Sequence, residues 1–179
     1  QIRELSQQYE LAIHAFCLLP DGLHILATPL GDPGNLSRFM KALSCSASSR
    51  RKRLHGATSV WEVRYRSSPV EPGQWMLACI CYIERLPVTQ RLASSAYHYH
   101  RSSYRMRLGK THQYWLEDPE EYTRLGGSIE DRAEAYRMYM SNGLDPHEEK
   151  MIDTAVKRCR LTGSRHFVRE VYRKYGVLG

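Results

Sequence analysis

The stretch LPDGLHILATP, residues 19–29, decides how the first half of the chain is built. Its Pro-Asp-Gly is a turn signal, and the residues after it are apolar and suited to a β-strand. The preceding stretch LAIHAFCLLP, residues 11–20, also reads as a strand. The sequence therefore predicts two antiparallel strands joined by a tight turn. His24 is the titratable group inside the second strand, and Gly22 lies two residues before it, on the same face.

Helices are predicted on both sides of this pair of strands. Residues 1 to about 10 resemble the end of a helix. Asn35 is predicted to cap a helix over LSRFMKALSCSASSRRKRL, because its apolar residues recur at helical spacing. A further apolar helix, QWMLACICYIERL, follows Pro72-Gly73 and is followed by Pro87. Beyond Trp115, four segments open with Asp or Ser and acids, which predicts four short capped helices.

Composition limits the class of protein. The 179 residues suffice for one domain, or for a small domain with an appendage. No apolar run approaches the roughly 18 residues of a membrane helix, and no signal peptide is visible. The five cysteines are an odd number, and Cys79-Ile80-Cys81 does not have zinc-ligand spacing. We expect reduced, mostly buried thiols in a cytoplasmic protein.

The formal net charge is +7, with arginine prominent beside aromatic residues. Arginine grips phosphate groups and stacks on bases, so nucleic acid is one expected partner, and an ordinary basic surface is the alternative. The basic residues 50–53, at the end of the second predicted helix, are either a solvated helix end or a site that binds phosphate. The residues predicted to contact DNA are Arg50, Arg51, Lys52, Arg53, Arg64, Arg66, Arg101 and Arg105, with Tyr104, Tyr97 and Tyr99 as candidates for stacking on bases. The alternative for each tyrosine is a packing role.

Tyr82 and His24 are the candidate chemical groups. A tyrosine hydroxyl can attack a DNA phosphodiester when a divalent cation polarises the phosphate. Such a cation takes imidazole, carboxylate, amide and water ligands. The alternative for each residue is a role in the core, since single histidines in strands and tyrosines on amphipathic helices are commonly buried for packing.

Five motifs in order resemble the REP-associated tyrosine transposases of the HUH superfamily. That family has Met-Pro-Asn-His-Val-His-Leu-Leu followed by Thr-Pro where this chain has LPDGLHILATP, and LSRFMKAL matches its next helix. WEVRYRS matches Trp-x-x-Arg-Tyr-(Lys/Arg)-Ser, and YIERLPV, residues 82–88, matches Tyr-Ile-Glu-x-Asn-Pro-Val. Ser-Ser-Tyr-Arg with its trailing glycine, residues 102–109, and the final TGSRHFVREV are similar too. The resemblance spans residues 11 to about 176.

The resemblance implies an α+β fold with a ferredoxin-like antiparallel sheet, whose first strand is absent or precedes Gln1. It implies cleavage and rejoining of single-stranded DNA at imperfect hairpins, through a 5′-phosphotyrosine on Tyr82, with Mg²⁺ or Mn²⁺ held partly by His24. We expect a transposase-like domain over residues 1–112 and a helical region over residues 113–179 that packs on it. A monomer and a homodimer both remain open.

The chain departs from that family at two expected metal ligands. Gly22 stands where the first histidine of the pair belongs, and Leu86 stands where the family has asparagine. Asp21 or Glu84 could substitute for them. Two hypotheses follow: a transposase that uses Tyr82, and a DNA-binding protein on the same scaffold whose catalysis has decayed. A protein-interaction domain is the third.

Overall fold

The computed structural model describes residues 1–56, 65–111 and 114–176. Within these ranges the chain forms eight α-helices and one two-stranded antiparallel sheet. This confirms the expected α+β class. The larger ferredoxin-like sheet stays a prediction, because the described residues contain two strands.

The predicted strand pair is confirmed as β1 (Leu11–Leu18) and β2 (Leu23–Pro29). The turn between them closes with two backbone hydrogen bonds, in which the Leu19 N–H donates to the Gly22 carbonyl at 2.7 Å and the Gly22 N–H donates back at 3.4 Å. β1 is the more buried strand, because nearly every side chain along it is apolar and enclosed. β2 is half-buried, so its residues lie closer to solvent.

Residues 101–103 pair through their backbone with the last three residues of β1. The Leu18 N–H donates to the Arg101 carbonyl at 2.8 Å, and the Ser103 N–H donates to the Phe16 carbonyl at 2.9 Å. Cys17 and Ser102 form an antiparallel bridge between these bonds. This pairing fixes the start of a short helix, and with it the position of the basic and aromatic segment that precedes it.

The helices follow the sequence pattern closely. Their bounds are α1 Ile2–Gln8, α2 Asn35–His55, α3 Gln74–Thr89, α4 Tyr104–Arg107, α5 Glu120–Thr123, α6 Ile129–Asn142, α7 Pro146–Lys157 and α8 Arg165–Tyr175, with a 3₁₀ turn at Ala96–His98. Ser128, Asp145 and Ser164 cap α6, α7 and α8 with their side chains. The four predicted helices beyond Trp115 are therefore confirmed, although α5 begins after Pro119 without a side-chain cap.

Two helix boundaries differ from the sequence expectation. Asn35 is the first residue of α2 rather than its cap; the cap position is Gly34, and the Asn35 side chain accepts a hydrogen bond from Arg38 at 2.6 Å. Pro87 lies inside α3 rather than after it. A proline this close to a helix end removes one backbone hydrogen bond while the last turn still forms, and the Gln90 N–H donates to the Leu86 carbonyl at 2.8 Å.

The chain packs as two compact units. The small unit comprises Gln1–Ile13 and Ala27–Tyr65, and the large unit comprises His14–Leu26 and Arg66–Gly179. In the small unit, Phe39 and Leu43 of α2 are buried along with the first residues of β1. In the large unit, α3 is enclosed among buried residues that include members of α6 and α7. The proposed division at residues 112 and 113 stays a prediction.

The cysteines are all free thiols. Cys17, Cys79 and Cys81 are buried, and burial raises the pKa of each thiol to about 12. Cys45 and Cys159 are exposed. No helix in the described ranges has the length and apolar character needed to cross a bilayer.

Candidate functional site

Tyr82 lies in the middle of α3, and its hydroxyl points to α7. The hydroxyl donates a hydrogen bond to Oδ1 of Asp153 at 3.2 Å. The tyrosine is 9% exposed. Burial raises the pKa of Tyr82, and the negative charge of Asp153 raises it further. The side chain is therefore a neutral phenol at physiological pH, with a carboxylate against its oxygen.

Asp153 is the residue of this site that the sequence analysis missed. It lies on α7, and its second oxygen, Oδ2, accepts an ion-paired hydrogen bond from Lys157 one turn later, at 2.8 Å. Its side chain is 38% exposed, so the carboxylate reaches from the buried tyrosine to solvent. The sequence offers no specific signal for it, because an acid four residues before a lysine is ordinary on a helix surface.

His24 is a half-buried residue of β2. Burial lowers the pKa of its imidazole, and the negative charges of Asp21 and Asp153 oppose that shift in part. The ring is therefore uncharged at neutral pH, in the form that can accept a proton or bind a metal. Asp153 thus interacts with both predicted chemical groups: it accepts a hydrogen bond from Tyr82 and acts electrostatically on His24.

The residues present do not fit the divalent metal that the resemblance implies. Gly22 has no side chain to offer, and Leu86 is buried in the core of the large unit. Glu84 is fully enclosed by other partners. Within the described ranges, no three His, Cys, Asp or Glu side chains form a group that could hold a metal ion.

Glu84 belongs to a buried polar network that explains why it cannot act as a ligand. Its Oε1 accepts a hydrogen bond from Ser103 at 2.5 Å and one from Nε of Arg107 at 3.3 Å. Its Oε2 accepts a hydrogen bond from the Tyr136 hydroxyl at 2.7 Å. The side chains of Glu84 and Arg107 are both 0% exposed. A buried carboxylate with this many donors is satisfied where it is and holds α3, α4 and α6 together.

Arg107 extends the same network. Its guanidinium donates to Asp118 at 2.9 Å and to the backbone carbonyl of His14. It also lies over the ring of Tyr122, 4.5 Å from the ring centre. The Tyr122 hydroxyl donates to the Arg107 carbonyl at 3.1 Å. Glu84, the glutamate of YIERLPV, and Arg107, which follows Ser-Ser-Tyr-Arg, therefore have a structural role in this chain.

The predicted DNA contacts lie in different environments. Arg50, Arg51, Lys52 and Arg53 are exposed in the last turns of α2, in the small unit. Arg66 and Arg101 are exposed in the large unit, whereas Arg64 lies outside the described residues. Tyr104 is 6% exposed and packs in the core at 6.0 Å from the ring of Tyr136, so its ring is not presented to a base.

A basic and aromatic surface surrounds Arg101 in the large unit. We call it the 97–105 surface, and its members are Tyr97, His98, His100, Arg101 and Arg105. The Arg105 guanidinium lies over the Tyr97 ring at 5.2 Å and bonds the His100 ring. Tyr97 is 39% exposed. Tyr99 is half-buried and donates its hydroxyl to the Leu18 carbonyl at 2.7 Å, which ties the segment to β1.

Comparison of this chain with known protein families, with curated proteins and with solved structures gave no match.

Proposed function

We propose that the protein binds single-stranded or hairpin DNA, and that the 97–105 surface is its principal contact. The observation that carries this proposal is the exposed Tyr97 ring with the Arg105 cation held over it, next to the exposed Arg101. Unpaired bases stack on such rings, and arginine binds the phosphates between them. The formal net charge of +7 favours a polyanionic partner.

The backbone of this segment is held in place before any ligand arrives. Residues 101–103 pair with β1, and Ser103 is anchored to the buried Glu84. Side chains on a fixed backbone lose less entropy on binding than side chains on a free loop. The surface therefore combines charge, an exposed ring and a rigid support.

The test is hairpin binding measured by fluorescence anisotropy over a range of salt concentrations. Arg101→Ala should weaken binding and flatten the salt dependence by about one unit, since one phosphate contact is lost. Tyr97→Leu should cost about 1–3 kcal/mol with an unpaired base present and little with a fully paired duplex. Arg124→Ala is the matched control, because Arg124 is exposed and already paired with Glu120 at 2.5 Å. Equal affinities for all three variants would remove this surface from the DNA footprint.

A second candidate function is tyrosine-mediated DNA cleavage and rejoining. The hydrogen bond between Tyr82 and Asp153 favours it, because a nucleophilic hydroxyl needs a partner that orients it. The test scores a covalent protein–DNA adduct on hairpin DNA with Mn²⁺ or Mg²⁺, with Tyr82→Phe as control. Hairpin binding without an adduct would leave a DNA-binding protein on a nuclease-like scaffold. Failure of both would favour a protein-interaction domain.

A further inference from the structure

We propose that Asp153 is the proton acceptor for Tyr82 when the tyrosine oxygen attacks a DNA phosphate. This inference rests on the second candidate function and assigns a catalytic role to the C-terminal helical region. It is carried by the direct contact between the two side chains and by the place of Asp153 between the buried tyrosine and solvent.

Asp153 satisfies the distance that a general base requires. Proton transfer needs a separation of about 2.6–3.2 Å between the heavy atoms, and the Tyr82 oxygen lies 3.2 Å from Oδ1 of Asp153. Among the described residues, that carboxylate is the hydrogen-bond partner of the hydroxyl. A carboxylate in contact with an attacking hydroxyl is an established arrangement in phosphoryl transfer.

The surroundings of Tyr82 make an acceptor necessary. Burial and nearby negative charge, from Asp153 and from Glu149 on the same helix, raise the pKa of the phenol. A phenolate is therefore scarce at neutral pH, and the proton must leave as the bond to phosphorus forms. Lys157 donates a hydrogen bond to the other oxygen of Asp153, so Oδ1 is the oxygen that faces the tyrosine.

His24 is the competing acceptor in this neighbourhood. Its ring interacts electrostatically with Asp153, and no hydrogen bond joins it to Tyr82. Asp153 is therefore the group in hydrogen-bond contact with the tyrosine hydroxyl.

The proposed step conserves atoms and charge. The Tyr82 oxygen forms a bond to phosphorus, and its proton passes to Oδ1 of Asp153. The bond from phosphorus to the 3′ oxygen breaks, and that oxygen leaves with the electron pair and takes a proton from solvent. On rejoining, the 3′ hydroxyl attacks the phosphotyrosine and gives its proton to solvent, the bond from phosphorus to the tyrosine oxygen breaks, and Asp153 returns its proton to that oxygen.

The experiment measures the single-turnover rate of adduct formation on hairpin DNA with the full chain. Asp153→Asn should lower that rate by at least about 100-fold, the range expected for a lost general base, with hairpin affinity unchanged. Glu149→Gln is the matched control: it removes a charge from the same helix that acts on Tyr82 without a hydrogen bond, and it should stay within about threefold of wild type. Asp153→Ala should be partly rescued by added formate, which restores a carboxylate.

Each outcome decides the inference. Equal adduct rates in wild type and Asp153→Asn would overturn it and leave Tyr82 cleavage standing. A slow Asp153→Asn with no formate rescue of Asp153→Ala would mean that Asp153 only positions the tyrosine, which also overturns it. Absence of an adduct in wild type, with hairpin binding retained, would overturn cleavage and this inference together while DNA binding stands. Asp153→Ser replaces Asp153→Asn if the asparagine variant does not fold.

Discussion

Arg107 and Glu84 show how a motif with the composition of a nucleic-acid contact becomes part of the core. Arginine beside tyrosine and serine, as in residues 102–107, suggests a surface that binds phosphate. The structure instead encloses the guanidinium between Glu84, Asp118 and two tyrosine rings. A buried ion pair holds only when every donor and acceptor has a partner, and this network supplies those partners.

Removal of Arg107 should therefore destabilise the protein strongly. Arg107→Met leaves the Glu84 carboxylate buried without its cation, so we expect a loss of about 3–5 kcal/mol in the free energy of unfolding, measured by urea denaturation. The surface variant Arg124→Met breaks an exposed pair and should cost no more than about 1 kcal/mol. Similar losses in both variants would contradict the structural role of Arg107.

Gly22 offers a direct test of the missing ligand. A Cβ added at this position meets no atom within 4 Å, so Gly22→His should fold normally. The new imidazole would lie two residues from His24, and we expect at least tenfold tighter binding of Mn²⁺ by isothermal titration calorimetry. Gly22→Ala is the steric control. Unchanged Mn²⁺ affinity in Gly22→His would show that the two positions do not converge on one ion.

The site was only partly predictable from sequence. Tyr82 and His24 stand out because each is a chemically capable side chain within an apolar pattern. Asp153 does not, since it lies 71 residues after Tyr82 and looks like any acid on a helix surface. Tyr104 was a candidate for stacking on bases because arginines surround it in the sequence, but its own ring is buried and packs against Tyr136. Contacts between residues far apart in the sequence decide where these side chains lie, and local composition does not predict such contacts.

Helices and strands were more accessible to prediction because their signals are local. The Pro-Asp-Gly turn, the capping residues Ser128, Asp145 and Ser164, and the apolar spacing of α2 and α3 each act within a few residues. The error at Pro87 has the same origin. A proline is a strong stop signal in isolation, yet α3 tolerates it in its last turn because few hydrogen bonds remain to be lost there.

Four consecutive basic residues lie near the end of α2. Arg50, Arg51, Lys52 and Arg53 are exposed beside the negative end of the helix dipole, which they complement. If they also grip phosphate, changing all four to alanine should reduce the slope of log affinity against log salt by about three units. The measurement is hairpin anisotropy over a salt series, with Lys41→Ala as a single-charge control on the same helix. An unchanged slope would assign the cluster to helix stability alone.

At the scale of the whole molecule, the two units differ in what they contain. The large unit holds Tyr82, His24, Asp153, the 97–105 surface and the buried Arg107 network. The small unit holds α1 and the whole of α2, including its basic end. The candidate chemical groups Tyr82, His24 and Asp153 therefore lie in the same unit as the 97–105 surface. The predicted DNA contacts at the end of α2 lie in the small unit.

The stability of the large unit should depend on pH through its histidines. Burial lowers the pKa of His14, whose Nδ1–H donates to the Glu117 carbonyl at 2.5 Å, and burial also lowers that of His24. The unfolded chain then binds protons first as pH falls below about 6.5, so stability is full above that pH and declines below it. Urea denaturation between pH 8 and pH 5 should show the decline, and His14→Gln should reduce it. A free energy of unfolding that rises on acidification would contradict this.

The distribution of the thiols makes the molecule ready for site-directed labelling without engineering. Cys45 lies in the small unit and Cys159 in the large unit, and both are exposed. The buried thiols of Cys17, Cys79 and Cys81, with pKa values of about 12, present almost no thiolate to a maleimide reagent. A thiol-reactive dye would therefore label one accessible cysteine in each unit and leave the three buried thiols unmodified.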